Sequence, residues 1–111
     1  MRGSRVHVIG VTYKKDISDS RESPAIEVIK LLMGLGAKVV YSDPYVANLN
    51  IEGESVERVT LSRKTLKECD LAIITTDHSE FNYIEVVSSA PLVFDTRNAT
   101  DGLKAKHLFR L

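Results

Sequence analysis

Short apolar runs alternate with segments of helical period along this chain, and that alternation limits the fold more than any other feature. "RVHVIG" (5–10), "KVVYSD" (38–43), "LAIITT" (71–76) and "PLVFDT" (91–96) each have strand length and strand composition. Between the first two, Ala25, Val28, Ile29, Leu32 and Met33 recur at helical spacing, so one face of a helix there belongs to a core. Ser23 before Pro24 suits an N-cap followed by proline at the first helical position, and Gly36 is placed for a left-handed C-terminal cap. Strands that alternate with helices predict a mostly parallel sheet with helices on both faces. The expected fold class is therefore α/β, a Rossmann-like three-layer sandwich in a single domain. A length of 111 residues fits one domain with one real core.

The remaining segments read less clearly. "SRKTLKEC" (62–69) predicts a short helix capped by Ser62, and 80–88 predicts another, with Phe81, Ile84 and Val87 at helical spacing. "VANLNIEGESVERV" has mixed periodicity, suiting a short helix or an excursion that ends in a brief strand near Val59. The tail "GLKAKHLFRL" suits an edge strand or a short final helix.

Charge and cysteine content narrow the function classes. Lys and Arg number 15 and Asp and Glu also 15, which argues against a broad nucleic-acid footprint. No apolar run approaches the roughly 20 residues of a membrane span. A lone cysteine, Cys69, makes a reducing cytoplasm the expected setting, and its place before an apolar strand suits a buried packing residue.

In parallel sheets of this kind, ligands bind beyond the carboxyl ends of the strands. That rule marks the loop after Gly10, "DPY" after the second strand, "TDHSEF" after "LAIIT", and "DTRN" after "LVF". The first loop, "VTYKKDISDSRESPA" (11–25), is long and highly charged. Lys14, Lys15 and Arg21 lead into a helix N-terminus, where free N–H groups favour an anion such as a phosphate. The plain alternative is a solvated loop whose acids neutralise its bases. Gly10 stands alone, so neither the glycine-rich dinucleotide fingerprint nor the phosphate loop of nucleotide triphosphatases is present. Arg97, at a strand end, is suited to gripping phosphate or sugar oxygens, or else to pairing with Asp95 or Asp77. His78 reads as a hydrogen-bonded structural residue, because no second histidine or cysteine supplies metal spacing. Asp43 could hold a ribose, but beside Pro44 it more readily caps a turn.

"VIGVTYKKDISDSRESPA", "GAKVVYSDPYV", "ITTDHSEF" and "VFDTRNA", in this order and spacing, resemble the C-terminal domain of the UDP-glucose/GDP-mannose dehydrogenase family. The likeness runs from about residue 3 to 111, with residues 1–2 expected as a start placed at a domain boundary. "TTDH" and "DTRNA" resemble the branch acting on UDP-N-acetylhexosamines more than the UDP-glucose branch. The resemblance implies an NAD-dependent enzyme that oxidises a sugar C6 alcohol to the carboxylate through a cysteine-bound intermediate. It implies that Tyr13, Lys14 and Arg97 contact the UDP-sugar, and that Arg21 reaches across a cleft to the NAD pyrophosphate.

The resemblance also implies that the NAD fingerprint, the catalytic cysteine and the central dimerisation helix lie in other segments of the parent enzyme. No catalytic residue and no metal ligand is therefore carried over to this chain, and Cys69 is not the nucleophile. The expected partners are a UDP-sugar, the N-terminal NAD-binding domain and that helix. On this reading the chain is an excised domain, or a truncated product, of a larger cytoplasmic enzyme, inactive alone. A standalone nucleotide-binding or regulatory module derived from the same fold is the alternative. A receiver-type signalling domain would need a pair of acids directly after the first strand, where "GVTYKK" stands.

Overall fold

A computed structural model describes residues 3–12 and 24–111. Seven strands form one sheet: β1 (Arg5–Ile9), β2 (Lys38–Ser42), β3 (Leu49–Ile51), β4 (Glu54–Arg58), β5 (Leu71–Ile74), β6 (Val93–Asp95) and β7 (Leu108–Arg110). Their order is β3-β4-β2-β1-β5-β6-β7. Every neighbouring pair is parallel except β3 with β4. Among the described residues, three helices accompany the sheet: α1 (Pro24–Gly34), α2 (Arg63–Glu68) and α3 (Tyr83–Ser89).

Alternation along the strands divides the core into two layers, as the period of two requires. Val6 and Val8 of β1, with Tyr41 and Ile73, pack under Ala25, Ile29 and Leu32 of α1. Ile9, on the opposite face, joins Ala72, Ile74 and Val93 under Leu66 of α2 and Val86 and Val87 of α3. Helices thus cover both faces, and the three-layer expectation holds. The α1 face follows the spacing of its apolar residues. Its C-terminus closes through Gly36 at φ +86°, with Ala37 N donating to Leu32 O and Gly36 N to Met33 O, the paired bonds of a Schellman cap. The Ser23 cap lies outside the described residues.

One expectation needs correction, and one open choice is resolved. The 80–88 segment begins its helix only at Tyr83, because Asn82 caps it by accepting from Glu85 N at 3.2 Å. Ile84 is 69 % exposed, and Val86 and Val87 supply the buried face instead. The ambiguous 46–59 stretch is no helix. Leu49, Ile51 and Val56 are buried on an antiparallel hairpin, β3 to β4, which turns at Glu52 (φ +52°) and Gly53 (φ +82°). The excursion does end in a strand, closing at Arg58. The tail forms the edge strand β7.

Candidate functional site

Register places four loops on one rim of the sheet. Ile9 pairs with Ser42 on one side and Ile74 on the other, and Ile74 pairs with Asp95. The segments after β1, β2, β5 and β6 therefore leave at the same height, over the carboxyl ends of the strands. The order runs outward from β1 in both directions, so the rim contains a switch point between β1 and β5, where such sheets open a crevice.

At that point the backbone is tightly tied. Gly10 has φ +83° and is pressed on Thr76, whose carbonyl oxygen would lie 2.5 Å from any Cβ at this position. Only glycine fits. Thr75 N donates to Ile9 O at 2.9 Å, and Thr75 Oγ1 donates to Gly10 O. Thr76 Oγ1 donates to Thr12 O at 2.7 Å.

Arg97 follows β6. Its backbone N–H donates to Asp95 Oδ1 at 2.9 Å, and its guanidinium Nε donates to Thr75 O at 3.2 Å. The arm therefore leans back across the end of β5 toward the β1 exit, where Thr75 already bonds Gly10. Asp95 organises this turn. Its wholly buried carboxylate accepts from the backbone of Arg97, Ala99 (3.1 Å) and Thr100 (2.8 Å) and from the Thr100 hydroxyl (2.6 Å). Burial alone would raise its pKa, but these bonds together hold it below the usual aspartate value. The sequence reading offered Asp95 as an ionic partner of Arg97. The structure has it accept the Arg97 backbone N–H, the role of an acid that caps its own loop.

Asp43 and His78 occupy the other side of the β1 exit. Asp43 Oδ1 accepts from Tyr45 N at 2.8 Å, the expected turn cap beside Pro44. Its Oδ2 accepts from Val11 N at 2.8 Å and lies 2.9 Å from His78 Nε2. His78 is wholly buried and hydrogen-bonded, as expected of a structural histidine. Among the described residues, no group of three or more His, Cys, Asp or Glu side chains is placed to hold a metal ion. No helix there is long and apolar enough to cross a membrane. Cys69 is 5 % exposed, its Sγ–H donates to Leu66 O at 3.1 Å, and burial pushes its thiol up to about 11, so it is a packing residue.

The described residues do not form a cradle for a dinucleotide. Asp43, at the position where such folds hold a ribose, has both carboxylate oxygens engaged, and the Gly10 backbone faces Thr76. A hollow of about 430 Å³ opens on the same rim beyond β2 and β4, lined by Asp43, Arg58, Leu61 and Phe81 among others. Arg97 is not part of its wall. Of the residues expected to bind ligand, Arg97 is at the switch point, whereas Tyr13, Lys14 and Arg21 lie outside the described residues. Sequence reasoning missed the threonines Thr12, Thr75, Thr76 and Thr100. Thr75 and Thr76 follow an apolar run and bond the backbone at the β1 exit, whereas Thr12 and Thr100 bond the side chains of His78 and Asp95.

Comparison with known proteins agrees with this geometry. Residues 7–102 match the model of the UDP-glucose/GDP-mannose dehydrogenase family, UDP binding domain. A UDP-glucose 6-dehydrogenase of Rickettsia prowazekii is 31 % identical over 109 residues, which is 91 % of this chain and 25 % of the relative. A UDP-N-acetyl-D-mannosamine dehydrogenase of Methanococcus aeolicus is 35 % identical over 81 residues, 73 % of this chain and 17 % of the relative. Among solved structures, a UDP-glucose dehydrogenase of Pyrobaculum islandicum superposes with a TM-score of 0.74 at 28 % identity, covering 98 % of this chain and 25 % of that one. The native UDP-N-acetyl-mannosamine dehydrogenase of Staphylococcus aureus gives 0.71 at 29 %, covering 99 % and 26 %. The chain thus spans about a quarter of the length of the solved relatives it matches.

Proposed function

Because the chain belongs to the UDP-glucose/GDP-mannose dehydrogenase family, we propose that it supplies the nucleotide-gripping part of an NAD-dependent 6-dehydrogenase acting on a UDP-hexose or UDP-N-acetylhexosamine. Tyr13 and Lys14 contact the UDP moiety from the loop after β1, and Arg97 reaches the same ligand from the end of β6. The nucleophile and the NAD fingerprint come from segments outside this chain. Arg21 adds a guanidinium contact to the NAD pyrophosphate across the cleft between domains. The isolated chain binds UDP weakly and does not turn over.

One observation carries this reading. Arg97 lies on the same rim as the β1 exit, with its Nε bonded to Thr75 O while Thr75 bonds Gly10. A planar guanidinium donor there, beside the exit of the strand that Tyr13 and two lysines follow in sequence, suits the oxygens of a diphosphate. Net charge is zero, so attraction for the anion must be local.

An NMR titration of the 15N-labelled chain with UDP, UDP-sugars and NAD tests it. UDP is expected to shift the amides of Tyr13, Lys14 and Arg97, while Arg21 stays unchanged without NAD and the partner domain. Silence of all three positions at millimolar UDP overturns the assignment. Comparing UDP-glucose with UDP-N-acetylhexosamines reads out the sugar preference.

A further inference from the structure

Three strand ends meet at one imidazole. His78 Nε2 lies 2.9 Å from Thr12 Oγ1, after β1, and 2.9 Å from Asp43 Oδ2, after β2. His78 itself follows β5. A carboxylate oxygen only accepts, so the hydrogen sits on Nε2, aimed between the carboxylate and the hydroxyl. The same Asp43 oxygen accepts the Val11 N–H at 2.8 Å, and Thr76 Oγ1 holds the Thr12 carbonyl at 2.7 Å. The rings of Tyr45 and Phe81 flank the imidazole at 4.9 and 5.6 Å and keep it from turning away. The side chains of His78 and Asp43 are both fully buried.

Burying an imidazole beside a carboxylate costs desolvation that an apolar pair would not. The fold places that pair directly under Val11 and Thr12. These two residues precede Tyr13 and Lys14 in the chain, and their backbone is held by the Asp43 carboxylate and the Thr76 hydroxyl. We propose that His78, oriented by Asp43, is a positioning residue. It fixes the Val11 and Thr12 backbone from which Tyr13 and Lys14 depart, and so sets affinity for a uridine diphosphate without touching it. The proposal rests on the assignment of Tyr13 and Lys14 to that ligand.

Two variants of the full chain test it: His78→Gln, and Thr12→Val, which removes only the hydroxyl and keeps the volume. The first measurement uses no ligand. The amides of Tyr13, Lys14 and Lys15 are expected to shift in both variants, with those of Ala72 and Val93, deep in the sheet, unmoved. If the Tyr13 and Lys14 amides keep their positions in a folded variant, the proposal is overturned. The second is a double-mutant cycle on UDP binding. His78→Gln is expected to weaken UDP about fivefold in the wild-type background and to have almost no further effect beside Lys14→Ala. Independent, multiplying losses overturn the positioning role, because they mean that His78 acts without Lys14. If UDP leaves Lys14 and Arg97 unaffected in the wild-type chain, the nucleotide reading itself fails, and the ligand-free spectra still decide whether His78 holds the β1 exit.

Discussion

His7 sits in mid-strand on β1 with no exposed surface, and its Nε2 lies 2.6 Å from Ser42 Oγ. Burial pushes its pKa down to about 4, with the nearby Thr65 backbone offsetting part of that. The folded chain therefore resists the proton that the unfolded chain accepts near 6.5. Between pH 6.5 and 4 the unfolded state binds more protons, so stability falls as pH falls through that window. The full loss is about 3 kcal/mol. Urea midpoints for the wild-type chain should drop steeply over this range, and His7→Gln should flatten the slope. Equal slopes would show that His7 does not govern acid sensitivity. The place of Arg97 on the carboxyl rim was legible from its position after a strand. Its support was not. The Asp95 carboxylate accepts from the backbone of Arg97, Ala99 and Thr100 and from the Thr100 hydroxyl, and no spacing rule in one dimension separates that from a simple Asp–Arg pair. The His78, Asp43 and Thr12 cluster was hidden for the same reason, because its members lie 35 and 66 residues from His78 and meet only in the fold.

At the level of elements, the parts that spacing reveals came through intact. β1, β2, β5 and α1 have apolar residues whose period matches their geometry, and each forms where the pattern predicts. The β3–β4 hairpin escaped because Leu49, Ile51 and Val56 are too few to show a period of two, and because its turn is Glu52-Gly53. The favoured residue at the first turn position is asparagine, which tolerates a left-handed backbone. Glu52 holds φ +52° with a long side chain that gains only an exposed ion pair with Lys30 at 3.9 Å, a contact of little energetic weight. Replacing it with a residue suited to that backbone should therefore help. Glu52→Asn is expected to stabilise the chain by about 0.5 kcal/mol in chemical denaturation, because asparagine visits this region more readily. A lower midpoint would mean that the Lys30 contact outweighs the backbone preference.

For the whole molecule, what matters is that one rim gathers the candidate site while the two core layers hold the rim. The chain covers about a quarter of the relatives it resembles, and on the proposed function its contacts to UDP would add to contacts made by other segments. On the proposed assignment, contacts to the UDP end would be remote from the carbon being oxidised and act alike on ground and transition states. Removing one should then raise KM and leave kcat nearly unchanged. In the full-length enzyme that carries this domain, Lys14→Ala or Arg97→Ala is expected to raise the KM for the UDP-sugar about tenfold to a hundredfold, the cost of one charge-assisted contact of roughly 1.5–3 kcal/mol. Initial-rate kinetics with saturating NAD measure it. A KM equal to wild type would remove that residue from the site. A fall in kcat with KM unchanged would count against a grip on the nucleotide and place the residue at the reacting carbon instead. If both residues grip one ligand as proposed and act independently, the double substitution should cost close to the product of the single ones. A much smaller combined loss would mean that each grips the nucleotide only when the other is present.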